Sequence, residues 1–232
     1  MRRAEVESVL ARHLRSFASR SAVTLAADHT DEGTFYSPAA GSVAGRLRDA
    51  LREPRVRANA VLFFLYAGAE ASAGQWAYSL LTEARGMAPA AAGVAAAAYW
   101  GSIFVGRLAF GAIAHHVPPS SLLRLGMAGA PLAALVVCLT RSGALGFAGL
   151  FALGLLIAPI FPLLIAETPA RVGERHAAHA IGFQISAATL GAGALPALAG
   201  LLARYAGLES LGPFLLATTV LLLLLHERGS RH

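Results

Sequence analysis

The sequence is short of charge. Only 14% of its 232 residues are Asp, Glu, Lys or Arg, and lysine is absent. Soluble domains carry about 25% charged residues, so a soluble globular protein is excluded. The single cysteine, Cys138, excludes an internal disulfide and is expected to act as a small buried hydrophobe. No phosphate-binding glycine loop, nucleophile elbow or zinc-protease motif is present, so the sequence predicts no enzyme, cofactor or metal site.

Apolar residues are abundant, at 56% of the total. They form six segments, each long enough to cross a bilayer core of about 30 Å as a helix. The segments are residues 59–82, 89–115, 121–140, 143–166, 177–203 and 208–225. The sequence therefore predicts an all-α membrane protein with a six-transmembrane-helix domain, 59–226. A cytoplasmic, basic, linker-like segment, 1–58, is expected before it, and a cytoplasmic tail, 227–232, after it. Segment 1–58 either forms amphipathic helices on the membrane face or is a solvated linker with transient helices.

The arginines predict an orientation. Sixteen of them lie in segments that six membrane crossings place on one side, whereas Arg85, Arg141 and Arg204 lie on the other. By the positive-inside rule, both termini are expected in the cytoplasm of a cell (inner) membrane. The net charge of +6 is gathered between apolar runs, so the lipid bilayer rather than nucleic acid is the expected partner.

Segment 59–82 carries one carboxylate, Glu70, near its middle. A charge at that depth is costly in lipid, so Glu70 is expected to face protein or water. Helical spacing puts a second polar face almost opposite to it. That second face consists of Ser72, Gln75, Trp76 and Ser79. Because one straight helix cannot aim both faces at a single cavity, the flanking Gly68 and Gly74 are candidates for a bend or break.

Each polar residue of these segments has two interpretations. Glu70 is a candidate for carrying a coupling proton, or it forms a structural hydrogen bond with Tyr66 one turn away. Gln75 and Trp76 are candidates for binding a polar ligand, by amide hydrogen bonds and ring stacking, or they mark the membrane interface. Gln184 either faces a cavity or bonds a neighbouring helix, because a buried amide without a partner is costly.

Small residues recur at spacings of four and predict helix packing surfaces. Gly93, Ala97 and Gly101 form one such stripe in the second segment, and Ala187 and Gly191 form another in the fifth. Small side chains let two helix backbones approach closely. We therefore expect both stripes to pack against other helices, with a hinge or a substrate path as the alternative.

Three stretches together resemble the C-terminal half of a major facilitator superfamily transporter, in the branch of the fucose and glucose proton symporters. They are FFLYAGAEASAGQW (63–76), AYWGSIFVGRLAFGAIAHH (98–116) and LIAPIFPLLIAETPARVGERHAAHAIGFQISAATLGAGALPALAG (156–200). The resemblance covers residues 57–226. It implies that the six segments correspond to family helices seven to twelve, and residues 1–58 to the cytoplasmic linker between the two halves.

The resemblance implies a secondary transporter for a small polar solute such as a sugar, moved with protons. Because the family site lies between two six-helix halves, it also implies a partner: a second six-helix half or a second copy of this chain. The alternative is a non-transporting membrane protein, either a truncated remnant or an accessory subunit that packs against a partner.

The family loop after the second segment is matched in part. The residues that match are Gly106, Arg107 and Gly111. His115 stands where the family usually has Asp, so Arg107 is expected to find another acid, with Glu167 as the candidate. Glu167 can also pair with Arg171 if the helix continues through Pro169. Arg107, Glu167 and Arg171 are therefore the candidates for a cytoplasmic gate, and solvated topology charges are the alternative.

Overall fold

The computed structural model describes residues 52–114 and 116–230, with only the backbone at 174–176 and at 230. Within these ranges every regular element is helical, which confirms the predicted all-α fold. Expectations for residues 1–51 and for His115 fall outside the described residues.

Seven α-helices and two short turns of other helix types make up the described chain. They are α1 (Pro54–Ser79) with a π-helical turn (Leu80–Ala84), α2 (Pro89–Ile113), α3 (Pro119–Leu139), α4 (Gly143–Ile157), α5 (Ile160–Val172), α6 (Glu174–Ala206), a 3-10 turn (Leu208–Ser210) and α7 (Leu211–Ser230). The first helix begins five residues before the predicted segment, and the last runs into the predicted tail.

Proline and glycine explain several helix boundaries. Proline occupies the first turn of α1, α2 and α3, where its missing N–H leaves no helical hydrogen bond unmade. Gly173 separates α5 from α6 with φ of 78°, and Gly207 ends α6 with φ of 83°. Such left-handed residues turn the chain at a helix end at little steric cost only when they are glycine.

The fourth segment is not one helix, as predicted, but two. Its first part, α4, ends at Ile157, and α5 begins at Ile160 after Pro159. Proline has no N–H to donate to the preceding turn, and its ring crowds the carbonyl four residues earlier, so the helix is interrupted there. The two helices together still form a single apolar stretch, Gly143–Val172.

Five apolar stretches of the described chain are long and apolar enough to cross a membrane. They are Pro89–Ile113, Pro119–Leu139, Gly143–Val172, Ala177–Ala206 and Leu208–Gly229. The α1 helix is equally long but lies outside this set, since Glu70, Gln75 and several small polar residues lower its hydropathy. Six membrane crossings therefore remain a prediction. The sixth would be α1, which falls outside this set by composition although it is the most central helix by packing.

The core of the bundle forms around α1. This helix packs along α6 and α7 and also contacts α2, α4 and α5. Its buried Phe63 meets Phe161 of α5 edge to face, with ring centroids 5.1 Å apart. At Gly191 of α6 a side chain would meet the backbone of Phe64, so the predicted small-residue stripe on α6 does pack against another helix.

The corresponding prediction for α2 is wrong within the described chain. Gly93, Ala97 and Gly101 are all exposed. A Cβ atom added at Gly93 or Gly101 would meet no atom of a described residue within 4 Å. The buried face of α2 is a different one, formed by Ala92, Ala95, Tyr99, Ser102, Ile103 and Gly106. The small-residue stripe therefore points away from this bundle.

Candidate functional site

Glu70 lies near the middle of α1 and is largely shielded, with 19% of its side chain exposed. The Tyr66 hydroxyl, one turn earlier, donates a hydrogen bond to its carboxylate. Tyr66 is itself buried and packs against Phe161 of α5. The local hydrogen bond considered from the sequence is thus present, and it fixes the side chain that carries the charge.

A cation from a neighbouring helix faces this carboxylate. Nη2 of Arg107, on α2, lies 3.7 Å from Oε2 of Glu70, and half of the Arg107 side chain is exposed. From the sequence we expected Glu167 to be the partner of Arg107. In the structure Arg107 pairs with Glu70 instead. Two residues expected to serve separate roles, proton coupling and gating, therefore form one ion pair.

Tyr99 completes the group and was missed from the sequence. Its buried hydroxyl donates to the backbone carbonyl of Glu70 at 2.8 Å, so it ties α2 to α1 at the level of the carboxylate. Its place on the buried face of α2, one turn after Ala95, appears only in the structure. We call Tyr66, Glu70, Tyr99 and Arg107 the Glu70 cluster.

The second polar face of α1 does not join this cluster. The helix is continuous from Pro54 to Ser79, so its glycines do not break it. Gly68 and Gly74 instead make room for Leu195 of α6 and Trp100 of α2. A continuous helix keeps the two polar faces apart.

Trp76 and Gln75 differ in their surroundings. The half-buried Trp76 ring lies over Gly200 of α6, and its indole Nε1 donates to the carbonyl of Pro196 at 3.0 Å. Gln75 is exposed on the outside of α1. Trp76 therefore joins two helices, while Gln75 keeps its amide available to a ligand.

Gln184 is fully buried between α5 and α6. Its Nε2 donates to the hydroxyl of Thr168 at 2.9 Å, and its Oε1 lies 3.2 Å from the same oxygen. The Thr168 hydroxyl also lies 2.8 Å from the carbonyl of Leu164. Of the two alternatives considered from the sequence, the structure has the bond to a neighbouring helix.

Glu167 and Arg171 form an ion pair within α5. Nη2 of Arg171 lies 2.6 Å from Oε2 of Glu167, because the helix continues through Pro169. The backbone carbonyl of Arg171 accepts a hydrogen bond from Arg55 of α1 at 3.2 Å. The three gate candidates are thus divided between this pair and the Glu70 cluster.

A second charged cluster at the opposite end of the bundle was also missed. Arg85 follows the π-helical turn, and its side chain is completely buried. Its guanidinium contacts Glu209 at 2.9 and 3.1 Å and the carbonyl of Val137 at 2.7 Å. Arg141 reaches the same carboxylate at 2.8 Å. In the sequence these two arginines served only to predict orientation. In the structure they join the α1–α2, α3–α4 and α6–α7 connections through ionic and hydrogen-bonded contacts.

A groove of about 440 Å³ borders the Glu70 cluster between α2, α3 and α5. Apart from Arg107 it is lined by apolar residues, including Phe110, Leu122, Pro162 and Leu163. Arg107 is thus the member of the Glu70 cluster that a polar solute in this groove would meet.

Comparisons with known proteins identify the class of fold. No family model matches the chain. Bypass of stop codon protein 6 of Saccharomyces cerevisiae (strain ATCC 204508 / S288c) is 27% identical over 169 residues, which are 68% of this chain and 34% of the yeast protein. The crystal structure of the E. coli fucose:proton symporter matches with a TM-score of 0.70 and 15% identity, over 81% of this chain and 46% of the symporter.

These similarities define the chain as a multi-pass membrane protein with a transporter-like helical fold. It spans less than half the length of each of the two proteins. At 15% identity the structural likeness shows the fold alone, so solute, coupling and partner are matters for proposal.

Proposed function

We propose that the chain is one half of a secondary transporter of the major facilitator type, corresponding to the C-terminal half, which moves a small polar solute such as a sugar together with protons. The observation that carries this proposal is the Glu70 cluster. It holds a carboxylate near the middle of the central helix between a tyrosine of the same helix and an arginine of the next. A functional charge is the default interpretation of an ionisable side chain at membrane depth.

The cluster can couple a proton to a movement of helices. Protonation of Glu70 removes the negative charge that attracts Arg107, so α1 and α2 lose an ionic contact. The half-exposed guanidinium is then available to a polar solute. Deprotonation restores the ion pair and closes the contact. Tyr66 keeps the carboxylate in place in both states because its hydroxyl can either donate to the carboxylate or accept from the protonated acid.

We also propose that the remaining site candidates bind the solute, although they differ in whether they must first break a hydrogen bond. Gln75 can bind a solute as it stands, because it is exposed. Trp76 and Gln184 must first give up hydrogen bonds to Pro196 and Thr168. The pair of Glu167 and Arg171 is proposed as part of a cytoplasmic gate, with both termini on the cytoplasmic side of the cell membrane.

A partner is part of the proposal, since one half supplies only one wall of a site between two halves. The exposed stripe of Gly93, Ala97 and Gly101 on α2 gives it a surface for close helix contact. We propose that this stripe meets a second six-helix half or a second copy of the chain.

An infrared titration tests the role of Glu70 without knowledge of the solute. Difference spectra recorded across a pH range should show the carboxyl band of a protonating acid in the wild type. The band is expected to lose the contribution of one carboxyl in Glu70→Gln, while the other acidic residues keep theirs. A spectrum in which Glu70→Gln retains the full wild-type band contradicts proton exchange at this residue.

A second candidate function is a non-transporting membrane subunit. It is favoured by the internal hydrogen bonds of Trp76 and Gln184, which satisfy both groups without a ligand. Uptake measurements on the chain and on its assemblies distinguish this candidate from a transporter.

A further inference from the structure

The groove beside the Glu70 cluster has walls that do not suit a sugar. It measures about 440 Å³, which is within the range of about 300–1,000 Å³ for small-molecule sites. Among the described residues that line it, Arg107 has the only polar side chain. The hydroxyls of a sugar would lose hydrogen bonds to water there, and each such loss without a protein partner is costly. The groove therefore favours a ligand that is mostly apolar.

The groove is also long. Its lining on α2 begins at Arg107 and continues to Ala114, which lies about 10 Å farther along the helix at about 1.5 Å per residue. On the facing wall the lining runs over the same interval, from Pro159, just before α5, to Ala166 of α5. An apolar wall of this length suits an extended aliphatic chain.

Arg107 indicates the charge of such a ligand, because half of its side chain is exposed. It approaches Glu70 through Nη2 at 3.7 Å, and a guanidinium offers five N–H donors in a planar fork. One carboxylate therefore does not saturate it, and the fork matches the two oxygens of a second carboxylate. A single negative charge is favoured over a phosphate group, which carries up to about two, because Glu70 repels any anion bound at this cation.

We propose that the groove is a binding site for an aliphatic monocarboxylate. Its carboxylate binds the Arg107 guanidinium, and its chain lies along the apolar walls formed by α2, α3 and α5. Glu70 and the ligand compete for the same cation, so removing the charge of Glu70 tightens binding. This ligand class differs from the sugar-like solute of the proposed function, and its binding requires neither transport nor proton exchange.

The test is equilibrium binding of radiolabelled octanoate to the purified full chain in phosphatidylcholine nanodiscs at alkaline pH. Empty discs measure the partition of octanoate into lipid, which is subtracted. We expect saturable binding that unlabelled octanoate displaces. At equal concentrations acetate, which lacks the chain, and octan-1-ol, which lacks the charge, should not displace it.

Charge variants test the role of the cation. Arg107→Gln is expected to weaken binding about tenfold or more, because charge-assisted hydrogen bonds are lost. Arg124→Gln is the control, since it removes an exposed arginine of α3 that does not line the groove. Glu70→Gln is expected to tighten binding about fivefold, because the competing charge is gone.

A glycine variant tests the location of the chain without altering any charge. Gly111 lines the groove, and a Cβ atom added there would meet no described atom within 4 Å. Gly111→Leu therefore fits without displacing a helix but fills groove space, and we expect it to abolish octanoate binding. Gly182→Leu of α6 is the matched control, since it is equally unobstructed but lies outside the groove.

Four results overturn the proposal: no saturable binding above that of empty discs, equal affinities in the wild type and Arg107→Gln, unchanged affinity in Glu70→Gln, or full binding in Gly111→Leu. Loss of octanoate binding when phosphatidylglycerol is added to the discs would show that an anionic lipid occupies the groove, which also overturns it. If Arg107→Gln does not fold, Gly111→Leu decides. The infrared titration of Glu70 is independent of these results, so a failure here leaves the half-transporter proposal to its own test.

Discussion

Arg107 of α2 reaches across to Glu70 of α1 and forms an ion pair at 3.7 Å, although its side chain is half exposed. The importance of this ion pair lies in joining the two helices through a charge that a single proton can remove. That property distinguishes it from the buried contacts that hold the bundle together.

The first prediction concerns the buried pair of Thr168 and Gln184. Thr168→Val leaves the Gln184 amide unsatisfied, so we expect a loss of about 1–3 kcal/mol in the free energy of unfolding. The double variant with Gln184→Leu should recover most of this loss. Thr218→Val is the control, since that hydroxyl bonds only within its own helix. Denaturant titrations giving equal losses for Thr168→Val and Thr218→Val would refute the interhelical role.

The second prediction concerns the charged cluster at the other end. Glu209→Ala leaves the fully buried Arg85 side chain without its carboxylate partner. We therefore expect the free energy of unfolding to fall by about 3–5 kcal/mol. Arg141→Ala removes the exposed arm of the same cluster and should cost less than about 1 kcal/mol. Unfolding temperatures in detergent measure both. Equal losses of stability in Glu209→Ala and Arg141→Ala would show that the burial of Arg85 does not determine how much the cluster stabilises the chain.

The third prediction uses two glycines of α6. Gly191→Ala pushes a methyl group against the Phe64 backbone, so we expect destabilisation of about 1–3 kcal/mol. Gly193→Ala, half a turn away, meets no described atom within 4 Å and should leave stability unchanged or raise it by up to about 1 kcal/mol. Similar unfolding temperatures for the two variants would contradict the close approach of α1 and α6.

The fourth prediction concerns orientation. In a Cys138→Ala background, single cysteines at the exposed positions Ala88 and Ala206 are expected to react with an impermeant thiol reagent from outside the cell. A cysteine at Ser120, at the other end of the bundle, should react only after the membrane is opened. The reverse pattern would place the termini outside.

Most of the fold could be predicted from the sequence, because apolar run length and proline and glycine positions act locally. The six apolar segments all became helical, and the prolines and glycines at their ends set several boundaries. The break at Pro159 was missed because prolines are tolerated in membrane helices, and only the packing of neighbouring helices decides where one interrupts.

The candidate site was only partly predictable, because ion-pair partners depend on how helices cross. Glu70 stood out as a lone carboxylate, and its bond to Tyr66 follows from a spacing of four residues. Nothing in the sequence joins Glu70 to Arg107 or Tyr99, since these contacts arise from the relative height and rotation of α1 and α2. The burial of Arg85 is likewise a property of the assembled bundle.

Uptake of labelled sugars into vesicles tests the central claim most directly. The vesicles contain only the purified chain, whose oligomeric state is determined in parallel. Uptake under an imposed proton gradient is compared between the monomer, the assembled form and the variants. We expect no uptake by a monomer and proton-driven uptake by an assembled form, abolished by Glu70→Gln and retained by the exposed control Gly193→Ala. Proton-driven uptake by a proven monomer, or by an assembly carrying Glu70→Gln, would contradict a half-transporter that couples through Glu70.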